Sequence, residues 1–254
     1  MTEIIALFIA LAFAAIFLLG GRAIQRTGIT AGGRFLSFAA GISIGYVFVH
    51  VLPALAKMTD MAESLPSDIP RLIPEYSVYL WTLAGFLVFY GLEAMAPAGH
   101  SEHEGHEAVG SSARAWVHIG GFAVYAWMLT YLMVWNSHHT LALCLYGVAM
   151  GMHIFPIACH LKSHYKPVYE YRGAIVLAAA CLAGWATGLA PAIPTQILVN
   201  IVAFVAGGVV VNSAIGELPE ERHRRTLYFV SGAIVYSALL LVLSHFEHGG
   251  EIAH

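Results

Sequence analysis

Charge is scarce in this chain. Asp, Glu, Lys and Arg make up 11% of its 254 residues and apolar residues 59%, where a soluble domain carries about 25% charged residues. A soluble fold must cover its surface with polar groups, so the deficit excludes one and points to an integral membrane protein. Cysteine is scarce as well. Cys144, Cys159 and Cys181 all fall within apolar runs, which argues against a disulfide framework and leaves them as small apolar side chains. The opening "MTEIIALFIALAFAAIFLLGG" lacks a basic segment ahead of its apolar run, so it is expected to be a first spanning helix rather than a cleaved signal peptide. Nothing suggests hydrolytic or redox catalysis, and nucleic acid is not an expected partner.

What the chain has in abundance is long apolar runs. A spanning helix needs about 20 such residues to cross about 30 Å of hydrocarbon. Eight stretches qualify, at roughly 3–21, 35–56, 76–96, 115–135, 141–161, 173–190, 195–216 and 226–245. Lipid cannot satisfy open backbone donors, and the runs are too continuous for barrel strands, so all eight are expected to be helices in one all-α polytopic domain. Loop charge then predicts orientation. Arg22, Arg26 and Arg34 follow span 1, Arg114 precedes span 4, Lys162, Lys166 and Arg172 join spans 5 and 6, and Arg222, Arg224 and Arg225 join spans 7 and 8. These are ten of the twelve basic residues. Connections 1–2, 3–4, 5–6 and 7–8 are therefore expected in the cytoplasm and both termini outside, as in a cell (bacterial inner) membrane.

Small residues at four-residue spacing predict close helix packing. They are Gly41/Gly45 in span 2, Gly147/Gly151 in span 5 and Ala180/Gly184/Gly188 in span 6. Spans 2 and 7 also resemble each other. "FAAGISIGYVFVHVLP" from Phe38 and "FVAGGVVVNSAIGELP" from Phe204 share Phe, Ala, Gly, Leu and Pro at a constant offset of 166 residues. The two spans run in opposite directions, as an inverted-topology repeat requires.

Ionisable groups in hydrocarbon cost a few kcal/mol, so each asks for a reason. His50 is placed at the outer end of span 2, His153 near the middle of span 5, and His118, His160 and His164 near the cytoplasmic face. His153 and His160 are seven residues apart and share a helix face. Pro156 cannot donate to the Met152 carbonyl, which predicts a bend and a free acceptor beside His153. Neutral imidazole binds zinc and similar metals, yet a tetrahedral site needs three or four ligands and no carboxylate lies within a turn of His153. The alternative is a histidine hydrogen-bonded across helices. Glu93 and Glu217 are read as snorkelling toward cytoplasmic water. The 97–114 connection contains "GHSEHEGHE", in which His100, His103 and His106 could bind zinc weakly or simply be solvated.

With these features the chain resembles the ZIP (Zrt-, Irt-like) family of divalent-metal transporters. The resemblance rests on eight spans, outward termini, a His-rich connection between spans 3 and 4, the two repeat segments, and His153-Ile-Phe-Pro156, which is similar to the family's His-x-x-Pro-Glu. It implies a 3+2+3 arrangement in which spans 1–3 and 6–8 are inverted repeats, and in which spans 1, 4, 5 and 6 move against a scaffold of 2, 3, 7 and 8. It also implies a transport site between spans 4 and 5, and here the chain departs. Ile157 stands where the family has an acid, the counterparts of the span-4 ligands are Tyr125 and Leu129, and Ala54 replaces the acid after Pro53. Without anionic ligands nothing offsets the cost of dehydrating a divalent cation at mid-membrane.

The expected function is transport of a divalent, zinc-like cation or related small solute toward the cytoplasm. His50, His153, His160 and His118 would mark the path, with His100, His103, His106 and Glu217 as further metal candidates. Zn2+, Fe2+ or Mn2+ would be substrate, and no cofactor is required. The alternative is a ZIP-like protein that does not transport and serves a structural, regulatory or partner-binding role. Expected partners are the lipid bilayer and a metal ion, with a second copy or another membrane protein as further candidates. Haem ligation would need matched histidines at one depth on two spans, and none is read from the sequence.

Overall fold

The structure, a computed structural model, describes residues 2–27, 29–57, 76–95, 108–135, 140–190, 193–215 and 222–251. The described residues are almost entirely helical and include no strand. The helices are α1 (Thr2–Thr27), α2 (Ile29–Tyr46), α3 (Ser77–Ala94), α4 (Ala108–Trp135), α5 (Thr140–His164), α6 (Ala174–Gly188), α7 (Thr195–Ile215) and α8 (Arg222–Glu251). A π-helical turn, Val47–Val51, carries α2 onward, and the chain stays helical through residues 52–57. A second π-helical turn, Tyr169–Gly173, leads into α6. Such turns insert one residue into the helical ladder and occur often at functional sites.

Among the described residues, seven helices are long and apolar enough to cross a membrane. α6, with 15 residues, approaches that length only together with the turn before it. Large apolar side chains such as Phe8, Leu87, Val124, Ile175 and Ile234 are exposed, an arrangement that water would penalise and lipid does not. The chain is an integral membrane protein.

Several boundaries differ from expectation. α1 runs to Thr27 and α2 starts at Ile29, so Arg22 and Arg26 sit on helical backbone rather than in a loop. Likewise α4 starts at Ala108, so the last part of the expected 97–114 connection is helix. Once a helix leaves the hydrocarbon, Ala, Ser and Arg continue it without penalty, and the apolar run alone does not mark its end. α5 continues as helix through Pro156.

The chain divides into two compact units, residues 1–29 with 87–192, and residues 30–86 with 193–254. The first contains α1, α4, α5, α6 and the second half of α3. The second contains α2, α7, α8 and the first half of α3.

Glycines set the packing of the second unit. A Cβ on Gly41 would strike the Phe229 carbonyl, and one on Gly232 the Phe38 carbonyl, so α2 and α8 touch backbone to backbone. Gly45 meets Ala233 and Ser237 one turn further along both helices, so the two run parallel. A second contact repeats the first. Gly207 abuts the Thr82 carbonyl and the Phe86 nitrogen, while Gly85 abuts the Phe204 carbonyl. Moving α2 onto α7 by the 166-residue offset takes Phe38 and Gly41 to Phe204 and Gly207. The same operation takes Phe229, Gly232 and Ala233 of α8 to Thr82, Gly85 and Phe86 of α3, an offset of 147. At that second offset Leu80, Val88 and Leu92 also align with Leu227, Val235 and Leu239. The repeat read from spans 2 and 7 thus extends to α3 and α8 through equivalent contacts.

The first unit packs in the same style. Gly147 of α5 rests on Ile9 of α1, and Gly184 of α6 rests on the Trp127 carbonyl and Thr130 of α4. Polar ties accompany these contacts. The Trp127 indole donates to Thr187 Oγ1 at 3.0 Å, and the Tyr169 hydroxyl donates to the Phe17 carbonyl at 2.7 Å.

Candidate functional site

The first unit holds the candidate site, at two levels along α4 and α5. His118 and Tyr125 are seven residues apart on α4, as are His153 and His160 on α5. Because the helices run antiparallel, Tyr125 meets His153 and His118 meets His160. Two interacting pairs therefore form two turns apart.

At the mid-span level, the Tyr125 hydroxyl and His153 Nε2 share a hydrogen bond of 3.0 Å, with the rings nearly perpendicular at 72°. Both side chains are buried, His153 being 2% exposed. Phe89 of α3 lies against the Tyr125 ring, centroids 4.5 Å apart. Leu129 and Ile157 are buried as well, and the Tyr146 hydroxyl donates to the Leu129 carbonyl at 2.7 Å. This level thus presents a phenol, an imidazole and two aliphatic side chains, and no carboxylate among the residues named. The interhelical hydrogen bond is what His153 makes here.

The second level lies at the ends of α3, α4 and α5 where the loop charges predict cytoplasm. Glu93 Oε1 stands 3.2 Å from His160 Nε2. The distance is that of an ion pair, yet the two are not aligned as a hydrogen bond, and His160 Nε2 is buried with no such partner. Glu93, its side chain 19% exposed, is thus paired across helices as well as close to solvent. α3 brings its carboxylate to α5, an adjacency the sequence does not display. His118, 1% exposed, pairs its Nδ1 with the Tyr165 hydroxyl at 2.9 Å and leaves Nε2 buried without a hydrogen-bond partner. The His118 and His160 rings lie edge to face, centroids 6.4 Å apart. His164 stacks on His160 at 4.2 Å and is exposed. Tyr165 lies beyond the end of α5. Burial raises its phenol above the ordinary range, opposed by the Arg114 guanidinium and reinforced by Glu93.

The histidines of α4 and α5 correct one expectation, since His118 and His160 do stand at one depth on two helices. They do not make a haem site. The rings are in near contact, with Phe122 and Tyr165 filled in around His118, which leaves no slot for a porphyrin plane.

His50 belongs to the second unit, where it stacks on Tyr46 at 5.1 Å within the π-helical turn of α2. His100, His103, His106 and Glu217 lie outside the described residues. Among the described residues, no three His, Cys, Asp or Glu side chains are grouped closely enough, as placed, to hold one metal ion.

No protein-family model matches the chain, and no curated protein matches it.

Sequence reasoning missed Glu93, Tyr125 and Tyr165 as partners of the histidines. One signal was available. The seven-residue spacing of His118 and Tyr125 copies that of His153 and His160, and two such stripes on neighbouring antiparallel helices meet in register.

Proposed function

We propose that the chain is a ZIP-like transporter that carries a divalent, zinc-like cation or a related small solute toward the cytoplasm of a cell (bacterial inner) membrane. In this reading both termini face outside, and spans 1–3 and 6–8 are inverted repeats around spans 4 and 5. The observation that carries it is the placement of four ionisable groups in one unit, with His50 alone of the path histidines in the other. His118, His153, His160 and Glu93 all lie in the unit of α1, α4, α5 and α6, the spans that the family resemblance assigns to the moving part. The glycine contacts repeated between α2·α8 and α7·α3 belong to the other unit, which suits a scaffold.

One observation favours the non-transporting alternative. Tyr125, Leu129 and Ile157 fill the mid-span ligand positions, and the phenol already engages His153. A cation crossing there would have no carboxylate to offset its dehydration.

Purified protein in liposomes enclosing a zinc-sensing dye separates the two. The transport reading expects uptake that His153→Ala abolishes. No flux above empty liposomes for zinc, iron or manganese rejects it in favour of the alternative.

A further inference from the structure

The second level of the site contains a carboxylate at ion-pair distance from one imidazole and, beside them, a second imidazole with a buried nitrogen that has no hydrogen-bond partner. His118 is wholly buried, yet its Nε2 has no partner, an arrangement that costs free energy unless something occupies it. Its other nitrogen is held by the Tyr165 hydroxyl at 2.9 Å. Metal-binding histidines show this pattern, one nitrogen fixed by a neighbouring acceptor and the other left to the ion. His160 Nε2 and Glu93 Oε1, 3.2 Å apart and misaligned for a hydrogen bond, have the separation of two ligand atoms on a tetrahedral zinc, about 3.3 Å for bonds of about 2.0 Å.

We propose that Glu93, His118 and His160 form a binding site for a first-row divalent transition-metal cation of the zinc class, at the ends of α3, α4 and α5. Imidazole nitrogen and carboxylate oxygen together suit zinc and its neighbours rather than calcium or magnesium, which take oxygen. A single carboxylate supplies the anionic charge that the mid-span level lacks. The ring centroids of His118 and His160 must close from 6.4 Å to about 5 Å for both to reach one tetrahedral ion. Binding therefore draws α4 and α5 together by about 1 Å at this end. Tyr165 is a positioning residue: a metal at Nε2 requires the tautomer in which His118 Nδ1–H donates to the Tyr165 hydroxyl oxygen. The inference deepens the transport reading and rests on it for what the site is used for, but the binding is measured without flux.

The test uses the full chain in detergent, with His100, His103 and His106 replaced by Ala to remove competing loop ligands, and Co2+ as a spectroscopic probe that zinc displaces. One Co2+ per chain is expected, with the intense visible bands of tetrahedral coordination. Glu93→Gln, His118→Gln and His160→Gln should each weaken binding more than about tenfold, and Tyr165→Phe by less, as removal of an outer partner does. The thermal melt of each metal-free variant separates loss of ligand from loss of fold. Absence of Co2+ and Zn2+ binding in the parent protein overturns the site, as does unchanged affinity in folded Glu93→Gln and His160→Gln. Binding that depends on these residues in a protein showing no zinc uptake sustains the site and rejects transport.

Discussion

The Tyr125 phenol and the His153 imidazole share a 3.0 Å hydrogen bond between α4 and α5. Hydrogen bonds between membrane helices contribute on average about 0.6 and at most about 1.7 kcal/mol, because the unfolded chain in the membrane also finds partners. Tyr125→Phe keeps the ring against Phe89 and removes only the hydroxyl. It is expected to lower the unfolding free energy by that range. A double-mutant cycle with His153→Phe, followed by denaturation in mixed micelles, should return the same figure as a coupling energy. Zero coupling would show that the pair is not bonded.

The two glycine contacts should respond alike. Gly41→Leu and Gly207→Leu each drive a side chain into the facing backbone, and overpacking of this kind costs about 1–3 kcal/mol. Gly120, which faces open space, should tolerate Ala and gain about 0.5–1 kcal/mol from the lost flexibility of the unfolded chain. Melting temperatures in detergent report all three. A large loss at Gly41 with none at Gly207 would end the claim that the contacts are equivalent.

Lys162 is buried near the end of α5 with its ammonium 3.1 Å from Glu170 Oε1, on the π-helical turn before α6. Removing one partner of a buried pair costs about 3–5 kcal/mol, but Glu170 is 45% exposed and water screens the loss toward the surface value of about 1 kcal/mol or less. Glu170→Gln should therefore destabilise the protein by about 1 kcal/mol. Lys162→Met, which leaves no uncompensated charge in the buried position, should cost less. A larger loss for Lys162→Met than for Glu170→Gln would mean that the lysine does more than balance Glu170.

Orientation is testable with single cysteines in a chain whose own three are replaced by Ala. Lys166→Cys, between α5 and α6, is expected to react with a membrane-impermeant maleimide only after the cells are opened. Thr195→Cys, at the start of α7, should react in intact cells. The reverse pattern would invert the topology read from loop charge.

Seven helices were legible as crossings because lipid imposes one rule on each, and an unbroken run such as 195–216 satisfies it without reference to any neighbour; the eighth, α6, was legible as helix but falls short of a spanning length. Gly41, Gly147 and Gly184 were legible as packing positions for a related reason, since the spacing of small residues is local. Glu93 was not. Its reading as a snorkelling side chain treated the helix as isolated and left out that α3 delivers it to His160, a relation between distant segments that no local pattern records. Tyr125 was seen as the residue in place of a ligand but not as the partner of His153. The limits of α1 and α4 were missed because helix continues past the hydrocarbon, where composition no longer marks its end.

The repeated glycine contacts also bear on how the protein is made. Phe204 is synthesised 119 residues after Gly85, and Phe229 188 residues after Gly41. At about 5–20 residues per second, α2 and α3 emerge from the ribosome several seconds or more before the helices that their glycines touch. The first half of the repeat must then remain in the bilayer with its closest-packing surface uncovered, since that surface is matched to the second half. The nascent chain is thus most exposed to mispairing, and to membrane quality control, during the interval before α7 and α8 arrive.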